Sequence, residues 1–148
     1  FISVKELIHL LADVVSKNGN LLLNVGPMAD GTIPAAQVAR LEGLGAWLKV
    51  NGEAIYGTRP WQQAKGRTGE GLAVRFTQKA DVLYAIVLGR PQAPQLEIPA
   101  VPLTNTTRVY VLGYNAPFAW TPHSTGLRLT LPRTLPDTPA VALKIVPR

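Results

Sequence analysis

Three leucines stand side by side in the segment Lys17-Asn-Gly-Asn-Leu-Leu-Leu-Asn-Val-Gly-Pro27. Successive side chains of a β-strand point to opposite faces, so a strand of consecutive leucines must be covered on both sides. A helix is predicted before it. Ser3-Val4-Lys5-Glu6 has the form of a capping box, in which the serine and the glutamate each satisfy the other's free backbone N–H. Leu7, Ile8, Leu10, Leu11, Val14 and Val15 then line one helical face, with Lys5, His9, Asp13 and Ser16 on the other. Asn18-Gly19 ends this helix, with glycine expected in the left-handed cap position.

Beyond Leu21–Val25, Asp30-Gly31 reads as a turn and Pro34 fits the first turn of a second helix. Val38, Leu41, Gly45 and Leu48 recur at helical spacing beside Trp47, and Asn51-Gly52 closes the element. Gly43 and Gly45 weaken this helix on propensity, and one of them is expected to permit close packing against the strand. Helix, apolar strand, helix is the pattern of a parallel α/β sheet. One strand is not a sheet, so its neighbours are expected to lie outside this chain.

From about residue 70 the apolar period changes to two. Leu127, Leu129 and Leu131 alternate with Arg128 and Thr130, and Val141, Leu143 and Ile145 with Ala142 and Lys144. Further strands are predicted at 72–77, 82–88, 95–98 and 107–112, with a weaker one near 118–121. Prolines punctuate them, as proline does between strands. Short, evenly spaced strands with one polar face indicate an antiparallel sandwich. The expected division is therefore an α/β portion over 1–61, a linker over 62–71 and a β-sandwich over 72–148 that is stable by itself.

The chain of 148 residues is 47% hydrophobic and 16% charged, a globular composition. It has no cysteine, which excludes disulfides, zinc–thiolate sites and thiol nucleophiles. The net charge is +6, but the fifteen basic residues are scattered along the sequence, and no nucleic-acid partner is expected. No apolar run approaches the roughly 20 residues that span a bilayer, and no membrane partner is expected. No signal peptide is visible at Phe1. His9 shares a helical face with Lys5 and Asp13, which predicts a solvated surface role rather than metal ligation. No metal and no cofactor are expected.

ELIHLLADVVSKNGNLLLNVGPMADGTIP, followed by LGAWLKVNGEAIYGTRPW, resembles the end of the catalytic domain of α-L-fucosidases of glycoside hydrolase family 29. The resemblance covers about Glu6 to Trp61 and is dense, gap-free and in the family's order. The sandwich half agrees in position and strand pattern. The resemblance implies a (β/α)8-like barrel followed by a C-terminal β-sandwich, with NGNLLLNVGP as the last barrel strand. A barrel of this type takes about 250 residues, so this chain would be the carboxyl-terminal part of the enzyme. The implied substrates are fucosylated glycans or glycosides, cleaved at terminal α-L-fucose with retention. The implied partner of this chain is the missing barrel portion, or a second copy through self-association of the exposed strand. A periplasmic or secreted bacterial location is implied as well.

Retaining hydrolysis needs two carboxyl groups roughly 5–5.5 Å apart. The resemblance implies an aspartate nucleophile and usually a glutamate acid/base, both in barrel segments upstream of this sequence. None of the nine acidic residues here sits in a matching motif, and no catalytic residue is assigned to this chain. Glu6 reads as a cap, Asp13 as surface, Asp30 as a turn residue and Glu42 as part of the outer helix. Glu53 is expected to order the NGEAIYG turn, while Glu70, Asp81, Glu97 and Asp137 fall in or beside sandwich loops and strands. Asn24 is the one candidate for the floor of the substrate pocket, because barrel active sites lie at the carboxyl ends of the strands. An amide that only satisfies the backbone, with no ligand contact, is the favoured reading of this residue, since buried polar groups need partners anyway. Gly26-Pro27 would turn the chain away, and Met28 to Ile33 would edge the site. Among the aromatics, Trp47 is expected to pack in the core, and Trp61 and Tyr56 to plug the interface between barrel and sandwich. Trp120, between Phe118 and His123, is the only aromatic cluster that could bind sugar, with packing favoured. The alternative function is a non-catalytic β-sandwich module that binds carbohydrate or supports a catalytic partner.

Overall fold

The computed structural model describes all 148 residues. Helix α1 spans Val4–Ser16 and helix α2 spans Ala35–Asn51, the latter followed by a single 3-10 turn over Gly52–Ala54. The capping box forms: Glu6 N–H donates to Ser3 Oγ at 3.1 Å, and Ser3 N–H to Glu6 Oε2 at 2.8 Å. At the other end Asn18, with φ of 63°, occupies the left-handed position expected for Gly19. Asn18 N–H then donates to Val15 O and Gly19 N–H to Val14 O, the paired bonds of a Schellman motif. Gly43 is the close-packing glycine, but it meets α1 rather than a strand. A Cβ there would lie 2.7 Å from Val4 Cγ2, whereas one at Gly45 would meet open space.

Eight strands follow: β1 Arg59–Arg67, β2 Ala73–Lys79, β3 Val82–Val87, β4 Gln95–Ile98, β5 Arg108–Val111, β6 Trp120–His123, β7 Gly126–Thr130 and β8 Val141–Val146. They form a five-stranded sheet in the order β1-β2-β3-β8-β5 and a three-stranded sheet in the order β4-β7-β6. Every pairing is antiparallel. Phe76, Val74, Leu83, Ala85, Val87, Leu143 and Ile145 from the first sheet pack against Leu96, Ile98, Leu127 and Leu129 from the second. The alternation in the sequence points these side chains inward.

Two expectations need correction. Residues 62–67 of the expected linker belong to β1, whose pairing with β2 shifts register between Pro60 and Lys65. A polar edge strand carrying Arg59, Pro60, Lys65 and Arg67 has little apolar alternation to reveal it, and such residues protect an edge from further pairing. The second correction concerns the face of β3 turned away from the sandwich core, which is covered rather than solvated. Tyr84, Ile86, Ala140 and Ala142 form a second core with Ile8, Ala12, Trp47, Ala54 and Ile55. The helices therefore sit as a third layer on the five-stranded sheet, and β3 is apolar at every position because both its faces are buried.

The β2–β3 hairpin turns through Ala80 at φ of 53°. A Cβ is disfavoured there, so Ala80→Gly should stabilise the chain by about 1 kcal/mol or less. A rise in Tm of roughly 2–4 °C by calorimetry is expected. An unchanged or lowered Tm would contradict the strained turn.

Leu21–Val25 forms no strand. No backbone N–H or C=O of residues 20–25 bonds to another backbone group. The segment takes no place in the strand order of either sheet, so it has no ladder partner within the chain. Leu22 is 93% exposed and Leu23 37%. The segment neither folds onto the sandwich nor finds the two-sided cover its leucines require.

Candidate functional site

The Asn24 region is built from three pieces. Gly26 N–H donates to Gln37 Oε1 at 2.9 Å, which ties the segment to α2. Arg40 Nε donates to Ile2 O at 2.8 Å, which ties α2 to the start of α1. Between them lies a cleft of 110 Å³ lined by Phe1, Leu7, Leu23, Asn24, Arg40 and Leu41, among others. Asn24 is exposed, and its side chain makes no hydrogen bond within the chain. The amide makes no bond to the local backbone.

The adjoining turn is held by Asp30, whose Oδ1 accepts from Thr32 N–H at 3.0 Å and from Thr32 Oγ1 at 2.7 Å. These bonds, the hydroxyl's first, hold the Asp30 carboxyl below its ordinary value. Met28 and Ile33 are 49% and 37% exposed. Phe1 and Leu22 are 88% and 93% exposed, so several large apolar side chains of this portion are open to solvent.

The acidic residues are engaged in structure. Glu6 caps α1 as expected. Asp13 is more than surface: Arg75 Nε on β2 donates to its Oδ1 at 2.7 Å, and Lys17 pairs with it at 2.8 Å. Glu53 Oε2 accepts from Tyr84 Oη and from Lys144 Nζ, both at 2.6 Å. Glu53 thus fastens the 3-10 turn to β3 and β8, a wider role than ordering its own turn. Glu70 accepts from the backbone N–H groups of Gln92 and Ala93. Glu97 Oε1 pairs with Arg128 at 2.9 Å, with His123 Nε2 at 3.4 Å from Oε2. No three His, Asp or Glu side chains converge in a way that could hold a metal ion.

The helical layer is joined to the sandwich by contacts that the sequence did not reveal. His9 is half-buried, and its Nε2 donates to Pro139 O at 2.8 Å. Trp47 Nε1 donates to Ala140 O at 3.0 Å. Trp61 lies on β1 against Phe76, ring centroids 4.9 Å apart, and so belongs to the sandwich core. Tyr56 is 60% exposed. Trp120 packs against the sandwich core, and its Nε1 is committed to Thr107 O at 2.9 Å.

Two of these joints titrate. Burial raises the Glu53 carboxyl, but the bonds from Lys144 and Tyr84 outweigh it and leave the group below its ordinary 4.5. The Lys17 bond, ahead of Arg75, overcomes a smaller burial penalty and lowers Asp13 below 3.8. A carboxyl lowered in the folded state contributes stability that is full above its unfolded value and is lost as pH falls through the folded one. Stability should thus decline from about pH 5 downward. Glu53→Gln with Asp13→Asn should flatten that decline while lowering Tm at pH 7. An equally steep acid decline in the double variant would contradict these assignments.

Two helices laid on one sheet of an antiparallel sandwich, with an apolar strand-like segment left open beside them, define the junction between a barrel end and a C-terminal β-sandwich. A family model described as alpha-L-fucosidase matches residues 1–53, and one described as the alpha-L-fucosidase C-terminal domain matches residues 70–146. The chain belongs to the alpha-L-fucosidase family. It is 41% identical over 133 residues to an alpha-L-fucosidase of Branchiostoma floridae, an alignment covering 89% of this chain and 29% of that protein. It is 39% identical over 135 residues to the tissue alpha-L-fucosidase of Homo sapiens, covering 89% of this chain and 28% of that protein. Among solved structures, the Thermotoga maritima alpha-fucosidase in complex with a mechanism-based inhibitor superposes with a TM-score of 0.90 at 39% identity. That superposition covers 99% of this chain and 34% of that one. The chain therefore spans less than a third of the length of these curated relatives.

Proposed function

We propose that this chain is the carboxyl-terminal portion of a retaining α-L-fucosidase that hydrolyses terminal α-L-fucosides of glycans or glycosides. The observation that carries the reading is the pair of family matches over 1–53 and 70–146, in that order and with little between them. Residues 1–61 then correspond to the end of the catalytic barrel, 62–71 to the passage out of it, and 72–148 to the sandwich domain. Because 62–67 are already strand β1, that passage is part of the sandwich sheet rather than a free tether.

The chemistry belongs elsewhere in the family's chain. Nucleophile and acid/base must face each other across the scissile bond, whereas the carboxylates of α1, the 3-10 turn and the sandwich are spread over separate elements and mostly bonded to cations, hydroxyls or backbone amides. What residues 1–61 contribute is the last wall of the pocket. Asn24, at the end of the leucine run with an uncommitted amide, stands at the pocket floor, and Met28–Ile33 at its rim. The exposed apolar side chains of Phe1, Leu22, Leu23 and Met28 are those that the preceding barrel strands cover. Without them, the same side chains drive self-association.

Turnover of a chromogenic α-L-fucoside tests the reading. The 148-residue chain alone is expected to show none, and addition of a polypeptide carrying the preceding barrel portion is expected to give it. Turnover by the chain alone that vanishes on replacing one of its own acidic residues would overturn the proposal.

A further inference from the structure

The basic residues, scattered in the sequence, are not scattered in the fold. Lys5 lies in the first turn of α1, Arg90 in the loop after β3, and Arg133 in the loop after β7. Folding brings them around two adjoining clefts beside the Leu135–Pro139 loop. Lys5 and Arg90 line one of 350 Å³, together with Gly89, Asp137, Thr138 and Pro139. Arg90 and Arg133 line the next, of 310 Å³, with Gln92 and Pro94 among its walls. Arg90 belongs to both.

We propose that this double cleft binds an anionic glycan, a chain bearing sulfate or carboxylate groups. The choice of a glycan rests on the fucosidase reading; the anionic character rests on the cleft itself. All three cations are exposed, and none takes part in a salt bridge. Arg90 is held in place by one bond, from Nη2 to Leu135 O at 2.8 Å. Its guanidinium has further donors in a planar fork that matches carboxylate or sulfate oxygens. Two carboxylates lie near. Asp137 lines the first cleft without a hydrogen-bond partner, and Glu70 is occupied by the backbone N–H groups of Gln92 and Ala93. Three cations against the two carboxylates leave the site positive by one charge. Because Lys5 comes from the helical layer and the two arginines from sandwich loops, the site spans the junction between them.

The test uses the full 148-residue chain and three probes measured by titration calorimetry: dextran sulfate, unsulfated dextran and duplex DNA. Dextran sulfate should bind and dextran should not, with affinity falling roughly tenfold or more between about 50 and 200 mM salt. Lys5→Gln with Arg133→Gln removes two cations that make no bonds in the fold, so the variant should remain folded. It is expected to lose about tenfold in affinity, while Lys49→Gln with Lys65→Gln, an equal loss of charge elsewhere, should change it by less than about threefold. Equal losses in the two pairs, or no binding of dextran sulfate, would overturn the site. Duplex DNA binding as tightly as dextran sulfate would overturn the assignment to a glycan. None of these readouts depends on fucoside turnover, so the site and the enzymatic reading fail separately.

Discussion

Phe76→Ala should lower the stability of the chain by about 3–5 kcal/mol, the range for removing a buried aromatic ring. Phe76 is fully buried on β2, an inner strand of the five-stranded sheet. Its ring meets Trp61 on β1 at 4.9 Å, and a Cβ at Gly66 would lie 2.9 Å from its Cε2. The edge strand, with its irregular pairing, thus packs its Trp61 and Gly66 directly on this one side chain. Alanine leaves a cavity that the sheet cannot close without moving β1. A fall in Tm of roughly 10–20 °C is expected by calorimetry, together with faster exchange of the β1 amides. A fall under about 3 °C would show that Trp61 and Phe76 do not share a packed core.

Gly126→Val should be comparably damaging by the opposite mechanism. A Cβ at position 126 would lie 1.9 Å from the carbonyl oxygen of Ile98 and 2.6 Å from Pro99 Cα. Both are backbone atoms, so no rotamer change relieves the clash. Ile98 pairs with Leu127 in the β4–β7 ladder, and the ladder must part to admit the side chain. The cost should reach or exceed the upper end of the roughly 1–3 kcal/mol typical of overpacking. Gly45→Ala is the informative contrast: nothing lies within 4 Å of its Cβ position, and helix propensity favours alanine by about 1 kcal/mol. If Gly126→Val proves neutral, the close approach of β7 to β4 is wrong.

Much of this architecture is written locally. The capping box at Ser3 and Glu6 and the alternation of β7 and β8 depend on neighbours a few residues away, and they form as read, whereas Pro122, expected between strands, lies inside β6, where an edge strand tolerates it. Asn18 rather than Gly19 takes the left-handed cap, a one-residue displacement allowed because asparagine tolerates that conformation. What the sequence hides is set by distant partners. Strand β1 is polar because its edge faces solvent, so its pattern resembles a linker. The bridge from Asp13 to Arg75, the Glu53–Tyr84–Lys144 joint and the bonds from His9 and Trp47 to the Pro139–Ala140 backbone link residues far apart in the chain. Composition and spacing carry no trace of such pairs. The same holds for the Lys5–Arg90–Arg133 cluster, invisible as long as charges are counted along the sequence.

The candidate site is legible in a different sense. The leucine run reads as a buried barrel strand, yet in this chain it bonds to no other strand and exposes Leu22 almost completely. The conflict between pattern and surroundings is itself informative: under the proposed reading, the leucines suit strands supplied elsewhere in the family's chain. Leu22, left almost fully open, forgoes about 1.5–3 kcal/mol of burial.

Amide hydrogen exchange at Leu21–Val25 tests that claim most directly. In the chain as a dilute monomer these amides should exchange far faster than those of Leu127–Thr130 in β7, because they have no ladder. With the preceding barrel portion of the family's chain bound, they should slow toward the β7 rates as two neighbouring strands close on them. Slow exchange in the monomer, or no added protection when the barrel portion binds, would contradict the account.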